Sequence, residues 1–251
     1  MKWVGTSWKM NKSIDESIDY INQIKNLEIP AGVQPFIIPP MSSLSRVREA
    51  LSAASPIKLG AQNAHWAIEG AFTGEISMRM ARDAGATIIE MGHSERRHMF
   101  GETDNTVSLK ARAALDAELT PLICVGEPSD VRESGGAPQF IRNQVNEALK
   151  RINATELDNI VIAYEPIWAI GETGREPLPN EIAPIMEEIA ELLAHKASGS
   201  SRGPLLYGGS VNLQNAPGLL EDPNIDGLFV GRSAWEPKGL MTLVKITAES
   251  L

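Results

Sequence analysis

The chain has 251 residues, a net charge of −9, 43% hydrophobic residues and a single cysteine. That length suits one or two domains, α/β barrels commonly reach it as one, and the apolar fraction supplies a sizeable core. The acidic balance argues against nucleic acid as a partner, which needs a basic face, while a small anionic ligand stays open because a few backbone N–H groups create a local positive site.

Cys124 has no partner for an internal disulfide, so a reducing cytoplasm is the expected setting. Its apolar neighbours Pro121-Leu122-Ile123 read it as a core residue rather than a nucleophile. No signal-like N-terminal pattern is present, and no apolar run approaches the ~18 residues that a bilayer span requires, so no membrane association is expected.

Short apolar runs alternate with longer amphipathic stretches throughout. The expected strands are Trp3 to Trp8, Phe36 to Ile38, Ile57 to Ala61, Thr87 to Met91, Leu122 to Val125, Ile160 to Tyr164, Leu205 to Tyr207 and Leu228 to Val230. Helical patterns lie between and after them: Ser13 to Leu27, Ser42 to Ala53, Ile76 to Ala84, Asn105 to Glu118, Phe140 to Ile152, Asn180 to His195, Leu213 to Leu220 and Leu240 to Ser250. Ser13 with Glu16 is a capping box, and Gly85 fits a helix stop. Eight strand–helix units imply a parallel sheet, and eight closes into a (β/α)8 barrel occupying 1–251 as one domain. A doubly wound open sheet is the alternative, but no GxGxxG follows the first strand.

Barrel chemistry sits at the C-terminal strand ends. After the sixth strand comes Glu165, then Pro166 and a segment ending in Gly171 and Gly174, which reads as a fixed acid or base beneath a closing lid. A strand-to-loop junction with a solvated glutamate is the competing reading. After the first strand, Ser7 and Lys9 share a face by alternation, and Lys9 can project over the mouth as a cation. His93 stands where a short helix begins after the fourth strand, and a helix N-terminus disfavours imidazolium. Glu95 and Arg96 support it, or form a surface ion pair. His65, His98 and His195 read as ordinary polar residues, and no spacing suggests a metal site.

The last two strands end Gly208-Gly209-Ser210 and Gly231-Arg232-Ser233. Glycines there let a ligand approach the backbone, and barrel phosphates frequently bind after strands seven and eight. A base, a neutral acid/base, a cation and a phosphate cradle suit proton abstraction beside a carbonyl through an enediol or enediolate, with no cofactor called for. The lid would exclude water and prevent phosphate loss.

Ser-Trp-Lys-Met-Asn (7–11), Gly-Ala-Gln-Asn (60–63), Gly-His-Ser-Glu-Arg-Arg (92–97), Ile-Cys-Val-Gly-Glu (123–127), Ala-Tyr-Glu-Pro-Ile-Trp-Ala-Ile-Gly (163–171), Tyr-Gly-Gly-Ser-Val (207–211) and Asp-Gly-Leu-Phe-Val-Gly (226–231) together resemble the triosephosphate isomerase family over the whole chain. The glutamate base and neutral histidine are that family's established pattern, so these two roles are the family's rather than a new finding. The resemblance implies Glu165 as base, His93 as electrophile and proton shuttle, and Lys9 as electrostatic anchor. It places Gly171, Ser210, Gly231 and Arg232 at the phosphate. It also implies a homodimer in which the loop 62–75 packs into the partner and Thr73 approaches the partner's site.

The departures carry information too. The family's first motif begins with asparagine where this chain has Ser7, and losing such a donor to a developing oxyanion typically costs ~10²–10³ in rate. Serine leaves room beside the reacting carbons while keeping a hydroxyl. The family's Gly-Gly after the eighth strand is here Gly231-Arg232, and the lid reads Gly171-Glu172-Thr173-Gly174-Arg175-Glu176-Pro177 rather than Gly-Thr-Gly-Lys. Gly-Thr-Ser-Trp-Lys-Met-Asn and Gly-Arg-Ser-Ala-Trp are similar to the wording of one branch, the L-erythrulose-1-phosphate isomerases of erythritol catabolism. That likeness implies conversion of L-erythrulose 1-phosphate to D-erythrulose 4-phosphate. A triose-phosphate isomerase with a tolerated serine, and a barrel that binds phosphate without catalysis, remain as alternatives.

Overall fold

The computed structural model describes residues 1–171 and 174–251. Glu172 and Thr173 of the expected lid lie outside the described residues. The chain runs β1 (Lys2–Ser7), α1 (Ile14–Ile24), β2 (Val33–Ile38), α2 (Met41–Ala50), β3 (Lys58–Ala61) and α3 (Met78–Asp83). It continues through β4 (Ile88–Met91), α4 (Ser94–Phe100), α5 (Asp104–Asp116), β5 (Thr120–Val125), α6 (Ser129–Glu133) and α7 (Ala137–Ala148). The remainder is β6 (Val161–Tyr164), α8 (Pro179–Ala197), β7 (Leu205–Tyr207), α9 (Ala216–Leu220), β8 (Gly227–Val230) and α10 (Pro237–Glu249).

All neighbouring strands pair in parallel, and β1 pairs with both β2 and β8, which closes the barrel. An open doubly wound sheet is thereby set aside. A strand closed on both sides has two faces to bury, which is why these segments read as nearly unbroken apolar runs. One face packs outward on the helices. The other fills the barrel with Trp3, Phe36, Ile38, Ile88, Leu122, Cys124, Val161, Ala163, Leu206 and Phe229. Phe36 lies between Trp3 and Phe229, with ring centroids 5.9 and 5.6 Å away. Gly5 makes room for that ring, because a Cβ there would sit 2.4 Å from it.

The Ser13–Glu16 capping box opens α1 as expected, and Gly85, at φ +104°, follows α3. Helix α6 and the 3-10 turns escaped the sequence reading because segments of three to six residues are too short to show a clear helical period. Alternation then determines what reaches the mouth. Inward positions advance in twos, so Trp3 and Gly5 lead to Ser7, Ile88 leads to Glu90, and Val161 and Ala163 lead to Glu165. No helix among the described residues is long and apolar enough to cross a membrane.

Candidate active site

The C-terminal strand ends surround a cavity of about 600 Å³, lined among others by Ser7, Lys9, His93, Glu95, Glu165 and Arg232. Gly171, Ser210 and Gly231 line it as well. The structure therefore gathers nine sequence-selected residues from β1, β4, β6, β7 and β8 around one space. Thr73 does not line this cavity and is exposed on its loop.

Glu165 follows β6 and is 4% exposed. Its backbone N–H donates to Val125 O at 2.7 Å, and its carbonyl lies against Gly126, where a Cβ would come within 1.9 Å. A Cβ on Gly208 would come within 2.8 Å of the Glu165 Cγ. The glycine at the β7 tip thus serves the carboxylate's packing, whereas Gly231 at the β8 tip faces open space. Glu165 Oε2 has no hydrogen-bond partner among the described residues. Burial, and next the nearby Glu90, push the carboxyl up to about 8. A carboxylate so desolvated and unpaired is a stronger base than an exposed one.

His93 is the N-cap of α4, and its Nδ1 accepts the Glu95 backbone N–H at 3.2 Å. An acceptor Nδ1 leaves the ring proton of the neutral imidazole on Nε2. That nitrogen stands 3.6 Å from Glu165 Oε2. Burial first, then the Lys9 charge, lower His93 to about 4, so it stays neutral over the physiological range. The expected helix-terminus effect is expressed here as a hydrogen bond that selects the tautomer.

Lys9 reaches the mouth by a different route from the one alternation suggests. β1 ends at Ser7, and Lys9 adopts left-handed backbone, φ 53°, which an L residue enters at some cost. Gln62 Nε2 donates to the Lys9 carbonyl at 2.7 Å, and Glu95 Oε1 accepts from Nζ at 2.8 Å, so both ends of the residue are held. Glu95 thereby touches both Lys9 and the histidine cap. Arg96 turns away to Glu102, 3.1 Å off, and supports the scaffold rather than the mouth.

On the rim, Arg232 Nη2 donates to Gly171 O at 3.1 Å, and Gly171 has φ +82°. Asn212 Nδ2 donates to Glu176 Oε2 at 3.1 Å on the other side of the lid segment. Sequence reasoning passed over the lid's anchor. Trp168 Nε1 donates to the buried Glu127 at 2.7 Å, and the ring is stacked by Arg132 at 3.7 Å and Arg175 at 4.7 Å. Both guanidiniums bind Glu181. Arg132 and Glu127 lie 36 and 41 positions before Trp168, so their share of this anchor left no local pattern to find. Cys124 is buried and its thiol is held well above its usual range by burial, as befits a core residue.

Fold and site together define a (β/α)8 barrel with a buried carboxylate and a neutral imidazole facing each other across its mouth. The chain belongs to the triosephosphate isomerase family: the family model described as triosephosphate isomerase matches residues 2–247. Among curated relatives, the L-erythrulose-1-phosphate isomerase of Mycolicibacterium smegmatis is 46% identical over 249 residues, covering 98% of this chain and 93% of the relative. Those of Mesorhizobium japonicum and Rhizobium rhizogenes are 48% and 46% identical, covering 96% and 99% of this chain and 95% of each relative.

Proposed function

We propose that this protein is an isomerase that moves the carbonyl of a phosphorylated ketose to the adjacent carbon, converting L-erythrulose 1-phosphate to D-erythrulose 4-phosphate. The observation that carries this reading is the approach of Glu165 Oε2 to His93 Nε2, 3.6 Å apart in one cavity. Family membership and the names of the relatives support it.

The substrate is a two-carbon ketol flanked by a phosphate ester on one side and a hydroxymethyl group on the other. Glu165 removes the proton from C3, and the electron pair flows into a C2–C3 enediolate. His93 Nε2–H protonates the oxygen on C2 and takes the proton from the oxygen on C3. Glu165 returns its proton to C2, so the carbonyl now stands on the former C3. Lys9, held by Glu95, offsets negative charge on the intermediate. Gly171, Ser210, Gly231 and Arg232 surround the phosphate, and the carbonyl of Gly171, where Arg232 now donates, is the group that an arriving phosphate displaces.

The chain acts as a homodimer in this reading. Trp66, Ile68 and Phe72 are 36%, 74% and 45% exposed on the loop 62–75, a cost that burial against a second copy removes. Stacking of His65 between Trp66 and Phe72, at 4.0 and 4.2 Å, gives that loop a fixed shape, with Thr73 at its exposed end. Sedimentation at micromolar concentration should give twice the chain mass, and Phe72→Glu should halve it.

The deciding assay compares kcat/KM on L-erythrulose 1-phosphate and on glyceraldehyde 3-phosphate. Preference for the first is expected. The opposite preference would make this a triose-phosphate isomerase with Ser7 tolerated. Absence of solvent deuterium in either product would leave a binding barrel without proton transfer.

A further inference from the structure

The ends of β1 and β8 form a seam in the cavity wall, and one side chain closes it. The β1–β8 ladder stops at the pair Thr6–Val230, while Ser7, one step further, still pairs with Ile38 of β2. The Trp8 N–H turns to β2 and donates to Ile38 O at 3.0 Å. The Ser7 carbonyl turns the other way, past the end of β8, and its donor there is a side chain: Trp235 Nε1, at 2.9 Å. Trp235 follows a single 3-10 turn, Arg232–Ala234, and its own N–H donates to Arg232 O at 3.1 Å. That turn is braced from two further sides. Ser233 Oγ donates to Val211 O at 2.9 Å, and Tyr20 Oη donates to Ala234 O at 2.8 Å. The indole therefore reaches from a fixed turn beside Gly231 to the end of β1. Ser7 and Trp235 both line the cavity, and Ser7 is only 4% exposed.

A buried carbonyl requires a donor, and here the indole N–H is that donor. Without it the Ser7 peptide turns toward cavity water to regain a partner, and the side chain moves with it. Serine stands there in place of the family's larger asparagine, and the room this leaves is what a substrate with one more carbon needs. We propose that Trp235 is a specificity-determining positioning residue: by holding the Ser7 carbonyl it keeps open, beside β1, the space that receives the hydroxymethyl group on the carbon that loses its proton. The inference rests on the tetrulose-phosphate reading above and names the residue that maintains selectivity within it. Trp235 acts through Ser7, and proton transfer stays with Glu165 and His93.

The test measures the ratio of kcat/KM on L-erythrulose 1-phosphate to that on dihydroxyacetone phosphate, which lacks the hydroxymethyl group. Trp235→Phe keeps an aromatic wall and removes the N–H. It should lower this ratio about tenfold, the scale on which a pocket discriminates one added carbon, with turnover of the triose falling far less. Inhibition by inorganic phosphate should stay as in wild type, because Val211 and Tyr20 still brace the turn. In a Ser7→Gly background, where no side chain can intrude on the space, Trp235→Phe should not change the ratio further. A loss shared equally by both substrates, a matching loss of phosphate inhibition, or a fall in the ratio that persists with glycine at position 7 would make Trp235 merely structural and overturn the proposal. Should the phenylalanine variant not fold, Ser7→Asn decides with the seam intact. The larger side chain, held at the same place, should lower the ratio at least as much, and an unchanged ratio overturns the proposal. A wild-type enzyme without activity on the tetrulose phosphate would instead sink the functional reading itself, whatever the variants do.

Discussion

Glu165 makes a quantitative statement about pH and rate. Its carboxyl is pushed from an ordinary 4.5 to about 8, mainly by burial and then by the neighbouring Glu90. A base must be ionised to accept a proton, so activity should rise with pH toward that value. With a midpoint of about 8, about 1% of free enzyme is competent at pH 6, about 9% at pH 7 and about 90% at pH 9. kcat/KM, which reports the free enzyme, should therefore rise about tenfold between pH 7 and pH 9. An unperturbed glutamate would give a flat profile across the same window. Two other titrations stay outside it. The substrate's phosphate has its second pKa near 6 and is mostly dianionic from pH 7 upward, and His93, lowered to about 4, is already neutral. Initial rates at subsaturating substrate in constant-ionic-strength buffers suffice. A plateau reached by pH 6 would refute the argument that the barrel desolvates this carboxylate.

The same shift acts on stability in the opposite sense. Between 4.5 and 8 the folded chain holds a proton at Glu165 that the unfolded chain has lost, so this contribution is complete below 4.5 and disappears as pH rises through 8. Glu165→Gln should therefore raise Tm relative to wild type by more at pH 9 than at pH 5, and a constant difference in thermal melts would refute it. Gly208→Ala adds a Cβ 2.8 Å from the Glu165 Cγ and should lower kcat about 10²-fold by displacing the base, with inorganic phosphate inhibiting as before. Lys110→Met removes the cation 2.6 Å from buried Glu102 and should cost about 3 kcal/mol in urea unfolding, Arg96 keeping the loss at the low end.

The barrel was legible because its strands are buried on both faces and its helices on one, and these demands produce different periods along the sequence. The strand ends gave most of the site for the same reason: a polar residue one step beyond an apolar run has a known position in this architecture. Lys9 shows the limit. Alternation gave the right place for it by the wrong route, since a left-handed residue after Ser7 is a tertiary outcome, held by Gln62 and Glu95. Gly208 shows another, because its requirement comes from the Glu165 side chain, 43 positions earlier in the chain. Glu90 was readable in principle, as a charged residue in an otherwise apolar strand at an inward position. Its significance needed the third dimension, which brings it near Glu165 from 75 positions away. The stacking of Arg132 on Trp168 likewise joins segments 36 positions apart that share no local pattern.

Burial alone does not separate the carboxylates that hold this protein together from those that do its chemistry. Glu90, Glu102, Glu127 and Glu165 are all less than 9% exposed. They differ in what meets them. Glu102 has Lys110 at 2.6 Å and Arg96 at 3.1 Å, and Glu127 accepts from Tyr164 at 3.0 Å and Trp168 at 2.7 Å. No cation lies within ion-pairing distance of Glu90 or Glu165 among the described residues, and both are pushed upward by burial. A buried acid without a cation is unfavourable for folding and persists only where packing elsewhere offsets it. The apolar barrel interior that includes Phe36, Leu122 and Phe229 supplies that offset, and the unbalanced pair sits where a ketose phosphate would bring protons to move.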